Sequence, residues 1–242
     1  MKTIVLIPTY NERDNIKPLL DAVRKNLPDG DIMVIDDNSP DGTADLVDEI
    51  SKTDPHITVL RRPGKQGLGV AYIDGYRRVL AKGYEAIICM DADFSHDPTV
   101  LPKIVEALAD ADLVIGSRYI PGGSTPDWKL SRRMLSRMGN LTARVLLGVP
   151  TKDNTTGYRG YRREALEKLD FNSIKLTGYG FMIETAYRTY LNKLRIKEIP
   201  ITFVDRVAGK SKMSGSIIKE ALLYVIKLRL QHIKDQISGA KK

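Results

Sequence analysis

Short apolar runs alternate with stretches of helical periodicity through the first 116 residues, and no other feature constrains the fold as tightly. The apolar runs fall at 3–8, 31–35, 57–60, 85–90 and 113–116. Between them, Ile16, Leu19, Leu20, Val23 and Leu27 recur at helical spacing, as do Leu68, Ala71, Tyr72, Gly75, Tyr76, Val79 and Leu80. The stretches 42–53 and 99–109 complete the helical set. Pro18 is expected near the first turn of its helix and Pro98 at the start of its own, where a missing N–H costs little. This order predicts an α/β fold, a mostly parallel sheet sandwiched by helices. Such sheets bind ligands at the carboxyl ends of their strands.

Polar clusters stand at those ends. Thr9-Tyr10-Asn11-Glu12, Asp36-Asp37-Asn38-Ser39 and Asp91-Ala92-Asp93 follow three strands, and Ser117-Arg118 follows a fourth. Together they predict one ligand-binding edge. Two carboxylates directly after a buried run are costly unless something compensates them. Two readings of Asp91-Ala92-Asp93 are open on spacing alone. A divalent cation such as Mg²⁺ is held by one or two carboxylates together with substrate phosphates, or else Asp93 or Ser95 simply caps the next helix. The first strand-to-helix turn carries Pro8-Thr9-Tyr10-Asn11-Glu12 rather than G-x-G-x-x-G, and no G-x-x-x-x-G-K-[S/T] is present. Dinucleotide-type and P-loop phosphate binding therefore lack support. The segment 64–69 is glycine-rich and either approaches a ligand or serves as a turn and helix start.

Beyond Gly116 the alternation ends. A loop at 119–126 leads to a helix at 128–148, whose apolar side holds Met134, Leu135, Met138, Leu141, Val145 and Leu146. Arg132 and Arg133 occupy its first turn, where cations oppose the helix dipole. They either serve an anion at the helix N-terminus or extend along the surface into solvent. A polar loop at 153–159 enters a strand, a helix spans 180–192, and 195–204, interrupted by Pro200, reads as an edge strand. The segment 205–215 is a basic, glycine-containing loop, suited to closing over phosphates or to plain connection. A last amphipathic helix covers about 216–237, with Ile217, Ile218, Ala221, Leu222, Val225, Ile226, Leu230 and Ile233 on one side and Lys219, Lys227, Arg229 and Lys234 beside them. It suits packing on the domain or lying on an anionic membrane. The organisation expected is one domain at 1–215 and a membrane- or partner-facing helix and tail at 216–242.

Charge sharpens this division. The formal net charge is +8, and residues 195–242 hold 11 Lys/Arg against 4 Asp/Glu, a net +7, while the preceding 194 hold 27 against 26. An anionic partner is expected at the C-terminal fifth. The single cysteine, Cys89, cannot form an internal disulfide and reads as a small buried residue, in keeping with a reducing compartment. No run approaches the ~18 apolar residues of a membrane span, and the N-terminus lacks a signal-peptide core.

The motifs at Pro8–Glu12, 36–43 and 90–96 recur together with Gly116-Ser117-Arg118-Tyr119, Ser131-Arg132-Arg133, Asp153 with Thr156-Gly157-Tyr158-Arg159, and Val204-Asp205-Arg206 with Gly209-Lys210-Ser211-Lys212. In this order they resemble the GT-A family-2 glycosyltransferases and, within them, the polyprenol (dolichyl) phosphate mannose synthases. The resemblance implies a GT-A fold and transfer of mannose, with inversion, from GDP-mannose to a polyprenyl or dolichyl phosphate on the cytoplasmic face of a membrane. It implies Mg²⁺ or Mn²⁺ on Asp91 and Asp93, with Ser95 near, and a nucleotide sugar held by Pro8, Tyr10, Glu12, Asp36, Asp37, Ala92, Arg206 and Lys212. The acceptor phosphate falls to Arg118, Arg132 and Arg133, and the catalytic set is Asp91, Asp93, Arg118 and Arg132. Some family members carry Gln where this chain has Ser95, so metal contact there would run through water. Many append transmembrane helices, so a peripheral protein or a separate membrane-anchoring subunit is expected. A phosphate acceptor is already anionic and needs no general base, in keeping with arginines rather than a His–carboxylate pair. Alternatives within the class use UDP-glucose or UDP-N-acetylglucosamine. Alternatives outside it are a nucleotidyltransferase and a basic nucleic-acid-binding protein, and no nucleic acid partner is expected.

Overall fold

The computed structural model describes residues 1–174, 179–205, 224–230 and 234. The expected alternation is present: β1 (Thr3–Thr9), α1 (Arg13–Asn26), β2 (Asp31–Asp36), α2 (Thr43–Ser51), β3 (Ile57–Arg61), α3 (Leu68–Ala81), β4 (Ala86–Cys89), α4 (Leu101–Ala107) and β5 (Leu113–Ser117). Then come α5 (Leu130–Leu147), β6 (Arg159–Arg162), α6 (Arg163–Lys168), α7 (Tyr179–Leu191) and β7 (Ile196–Pro200). Pro18 falls in the second turn of α1 rather than near the first. The helix starts earlier than its apolar spacing suggests, because the Glu12 carbonyl already accepts the N–H groups of Asn15 and Ile16.

The strands form one sheet in the order β3-β2-β1-β4-β6-β5-β7. Every pairing is parallel except those of β6, which runs antiparallel between β4 and β5. β7 is an edge strand with Pro200 at its last position, where no ladder N–H is needed. Successive residues of each central strand point to opposite faces. Val5, Ile7, Ile32, Val34 and Ile88 meet Ile16, Leu19, Leu20 and Val23 of α1 and Ile104 of α4 on one side. Ile4, Leu6, Met33, Ile35, Ile87 and Cys89 meet Tyr72, Tyr76 and Val79 of α3 and Phe181 of α7 on the other. Burying side chains of this size stabilises by roughly 1.5–3 kcal/mol each.

The order places the carboxyl ends of β2, β1 and β4 side by side, so the three polar clusters meet on one edge. Each cluster has a non-glycine residue in the left-handed region: Asn11 (φ 60°), Asn38 (φ 58°) and Phe94 (φ 59°). Asn tolerates that conformation, but for Phe94 it is strained. Because β6 is reversed, Arg159 at its start pairs with Cys89 at the end of β4, and the loop before β6 arrives at the same edge.

Arg206, Lys212 and the proposed boundary at 215 lie outside the described residues, as does most of the last helix. Within it, 224–230 are helical. Val225 is buried with Ala143 and Leu147 of α5 and Ile183 and Tyr187 of α7, whereas Ile226 and Leu230 are exposed. No helix among the described residues is long and apolar enough to cross a membrane.

Candidate active site

The loops after β1 and β2 are bonded into one unit. The Thr9 hydroxyl donates to Asp36 Oδ1 (2.8 Å), the Asn11 N–H to Ser39 Oγ (3.0 Å), the Glu12 N–H to Thr43 Oγ1 (3.1 Å) and the Asp37 N–H to the Thr9 carbonyl (3.1 Å). The Asp36 carboxylate is 1% exposed and also accepts from the Ser39 N–H (2.8 Å) and hydroxyl (2.6 Å), so it holds the two loops together. Asp37 faces Arg62, which follows β3, pairs with Asp37 and also bonds Asp74 (2.8 Å). Burial raises the Asp37 carboxyl above its ordinary value, against the pull of Arg62. Lys65 stands over the Tyr10 ring, 4.4 Å from its centroid. Pro8 and Glu12 are half-buried and Tyr10 is exposed, so the β1–β2 edge presents a ring, two carboxylates and a lysine. Arg62 and Lys65 were missed as site residues, although Arg62 follows a strand end and the rule that found the other clusters extends to it.

Asp91 and Asp93 follow β4. Asp93 is buried, and its Oδ1 accepts from the Ser95 N–H (3.1 Å) and hydroxyl (2.6 Å). Asp91 is partly exposed, and a Cβ at Gly157 would stand 3.4 Å from its Oδ1, so the loop before β6 passes close over it. Two fixed carboxylates at one strand end are hard oxygen ligands suited to a divalent cation. No group of three or more His, Cys, Asp or Glu that could hold a metal exists among the described residues, so a cation here would take its other ligands from substrate or water. The Ser95 hydroxyl is committed to Asp93.

His96 is fully enclosed. Its Nδ1 accepts the Asp91 N–H (3.0 Å), which puts the ring proton on Nε2, 3.8 Å from Asp91 Oδ2. Burial holds the imidazole below its ordinary pKa, in spite of the nearby Asp91 and Asp93. The ring stacks on Tyr158 (4.7 Å) and meets the edge of Phe203 (5.7 Å), which meets Trp128 (5.5 Å). An aromatic row thus runs from the carboxylates to the start of α5. The contacts of His96 fix the Asp91 backbone.

The arginine end lies past Trp128, whose ring centroid is 4.0 Å from Arg132 Cζ and 5.3 Å from Arg118 Cζ. Arg118 forms a buried bidentate pair with Asp153, Nε to Oδ2 and Nη2 to Oδ1 both 2.7 Å, and also bonds Thr155. Burial disfavours the Asp153 carboxylate, yet Arg118 holds its pKa below the ordinary value. Arg118, Arg133 and the unforeseen Arg137 line an open cavity of about 180 Å³ together with the 123–126 loop. Arg132 is not part of it; it pairs with Asp205 (2.7 and 2.9 Å). Among the described residues, three N–H donors here, Trp128 Nε1, Arg132 Nε and Arg133 Nε, are buried without a hydrogen-bond partner. Unmet donors of this kind cost about 1–3 kcal/mol each.

Acidic groups thus stand at the carboxyl edge of a mostly parallel sheet, with arginines across an aromatic row from them. The chain belongs to glycosyl transferase family 2, whose model matches residues 4–170, and it is a glycosyltransferase. It is 47% identical over 225 residues to the undecaprenyl-phosphate mannosyltransferase of Micrococcus luteus, covering 93% of both chains. It is 45% identical over 240 residues to the polyprenol monophosphomannose synthase of Mycolicibacterium smegmatis, covering 98% of this chain and 91% of that one. The glucosyl-3-phosphoglycerate synthase of Mycobacterium tuberculosis, crystallised with Mn²⁺, UDP and glucosyl-3-phosphoglycerate, shares the fold, with a TM-score of 0.65 at 22% identity over 94% of this chain and 80% of that one.

Proposed function

We propose that this chain transfers a mannosyl group from GDP-mannose to the phosphate of a polyprenyl or dolichyl lipid, inverting the anomeric centre, at the cytoplasmic face of a membrane. The names of the two relatives support the sugar and the lipid. The observation that carries the chemistry is the state of His96. Its only lone pair is taken by the Asp91 N–H, so it cannot accept a proton from an incoming hydroxyl. The only other described histidine–carboxylate pair, His56 with Asp31, sits at the opposite, amino-terminal edge of the sheet. An acceptor that arrives already ionised has no proton to lose. Its phosphate oxygen attacks the anomeric carbon, and the bond to the diphosphate breaks with its electron pair leaving on GDP.

On this reading Asp91 and Asp93 would hold Mg²⁺ or Mn²⁺, which would supply positive charge to the leaving diphosphate. Pro8, Tyr10, Glu12 and Asp37, with Lys65, hold the nucleoside. Arg118, Arg132 and Arg133 receive the acceptor phosphate, and the N–H donors of Trp128, Arg132 and Arg133 that lack a partner among the described residues support an anion at this end. Arg206 and Lys212 close over the diphosphate. The C-terminal helix or a separate anchoring subunit would assist attachment to the membrane.

A donor panel of GDP-mannose, UDP-glucose and UDP-N-acetylglucosamine with a detergent-dispersed polyprenyl phosphate, with and without EDTA, tests this. Mannose transfer abolished by EDTA is expected. Full activity in EDTA would remove the metal role from Asp91 and Asp93, and preference for a UDP-sugar would replace the donor.

A further inference from the structure

His96 carries one polar atom that the fold leaves unused. Its Nδ1 is taken by the Asp91 N–H (3.0 Å). Its Nε2–H is buried and has no hydrogen-bond partner among the described residues. Buried donors are paired in the large majority of cases, and one that is not needs a physical reason. Asp91 Oδ2 stands 3.8 Å from this nitrogen. That is outside hydrogen-bonding distance by only about half an ångström.

Of the two groups, the imidazole is the fixed one. It lies stacked on Tyr158 (4.7 Å) with the Phe203 ring at its edge (5.7 Å). Tyr158 is itself held by its hydroxyl, which donates to the Asp97 carbonyl (2.9 Å). A Cβ on Gly157 would stand 3.4 Å from Asp91 Oδ1 and 3.6 Å from His96 Cε1, so the loop before β6 lies against both residues. The turn that returns His96 to Asp91 contains Phe94 at φ 59°. Such a conformation is costly for a bulky residue and persists where its surroundings over-determine it. The His96 side chain is 0% exposed, whereas that of Asp91 is 30% exposed and within reach of a ligand from solvent. Asp93 differs from both. It is set within its own turn, where its Oδ1 takes the N–H and the hydroxyl of Ser95.

We propose that His96 is the positioning residue of Asp91: its Nε2–H donates to Asp91 Oδ2 when that carboxylate turns to hold a divalent cation. The inference rests on the reading of Asp91 and Asp93 as the cation's protein ligands. A carboxylate that ligates through one oxygen is oriented by whatever bonds the other. Loss of such a partner typically costs about 10–100-fold in metal affinity. A neutral imidazole gives this orientation without opposing the cation, as a lysine or arginine in its place would.

The test is titration of the full chain with Mn²⁺ in the presence of GDP, with free Mn²⁺ followed by electron paramagnetic resonance. The amide of Asn reaches the δ position of the imidazole and that of Gln the ε position. His96→Asn therefore keeps an acceptor for the Asp91 N–H and loses the donor, while His96→Gln keeps a donor and loses the acceptor. His96→Asn should weaken Mn²⁺ binding by about 10–100-fold, and His96→Gln should bind it more tightly than His96→Asn. The opposite order would show that His96 serves the Asp91 backbone alone and would overturn the proposal. Parental affinity in both variants would overturn it too, and would leave the metal reading intact. A parent that binds no Mn²⁺ with GDP would remove the metal reading and the proposal together. A measurement on the parent needs no variant to fold. In protein carrying isotope-labelled histidine, Mg²⁺ added to the GDP complex should move the Nε2–H proton resonance of the enclosed imidazole downfield and slow its exchange. An unmoved resonance in protein that has bound Mg²⁺ would overturn the proposal.

Discussion

Asp153 is completely buried and gives both carboxylate oxygens to the side chain of Arg118 at 2.7 Å, while also accepting the Arg118 N–H at 3.0 Å. The pair ties the end of β5 to the loop before β6, so the arginine facing the cavity is fixed before any acceptor arrives.

Asp153→Asn leaves the Arg118 charge buried and uncompensated, and a loss of about 3–5 kcal/mol is expected. The folded-state pKa of Asp153 lies below its ordinary 3.8, so its contribution is complete above that value and disappears as pH falls through the lower folded value. Urea unfolding of the parent and the variant at neutral pH and near pH ~3 should show their difference shrinking in acid. A constant difference would show that the charge pair is not its source.

Asp205 occupies Arg132 in the structure, with both groups partly exposed. If Arg132 receives the acceptor phosphate, Asp205→Asn removes a competitor. The expected outcome is a severalfold lower KM for the lipid phosphate with an unchanged KM for the donor. A change in donor KM instead would place Arg132 on the diphosphate.

Gly123 lies against backbone. A Cβ there would fall 2.6 Å from the Ser117 carbonyl oxygen and 2.8 Å from the Arg118 carbonyl carbon. Gly123→Ala must therefore push the 121–126 loop off the end of β5, at a cost of about 1–3 kcal/mol. Thermal melts should show the loss, and the acceptor KM should rise more than the donor KM. An unchanged melting temperature would mean that the loop approaches less closely.

Cys89 is buried in β4, and burial pushes its thiol up to about 12, although the Tyr76 hydroxyl beside it acts the other way. A protonated, enclosed thiol is inert. Labelling with a thiol reagent should proceed only on unfolding and track denaturant concentration; rapid labelling of the native protein would contradict this.

The sequence made the binding edge legible because strand ends are marked locally, by an apolar run stopping at Thr9, Asp36 or Asp91, and sheet order then brings them together. It left Asp36 and Asp37 indistinguishable, since adjacent residues in a strand-end loop differ only in which way they turn, and hydrogen bonds to Thr9 and Ser39 decide that. The direction of α5 was hidden for a related reason. Helical spacing identifies the row from Met134 to Val145 as a face, but whether it meets core or solvent depends on what stands opposite, and Asn140 and Ala143 give little periodic signal. Asp153 was visible as part of a motif, but its partner Arg118 is 35 residues away, and such pairing arises only from the tertiary fold.

The reversal of β6 has a consequence for how such a site diversifies. Parallel strands contribute the loops that follow them, so the edge formed after β1, β2 and β3 is built from segments that also launch α1, α2 and α3, and changing it disturbs helix packing. An antiparallel strand contributes the loop that precedes it. Residues 148–155 therefore reach the Arg118 cavity as an insert between α5 and β6, open to changes in length and composition that leave the segments launching α1, α2 and α3 untouched.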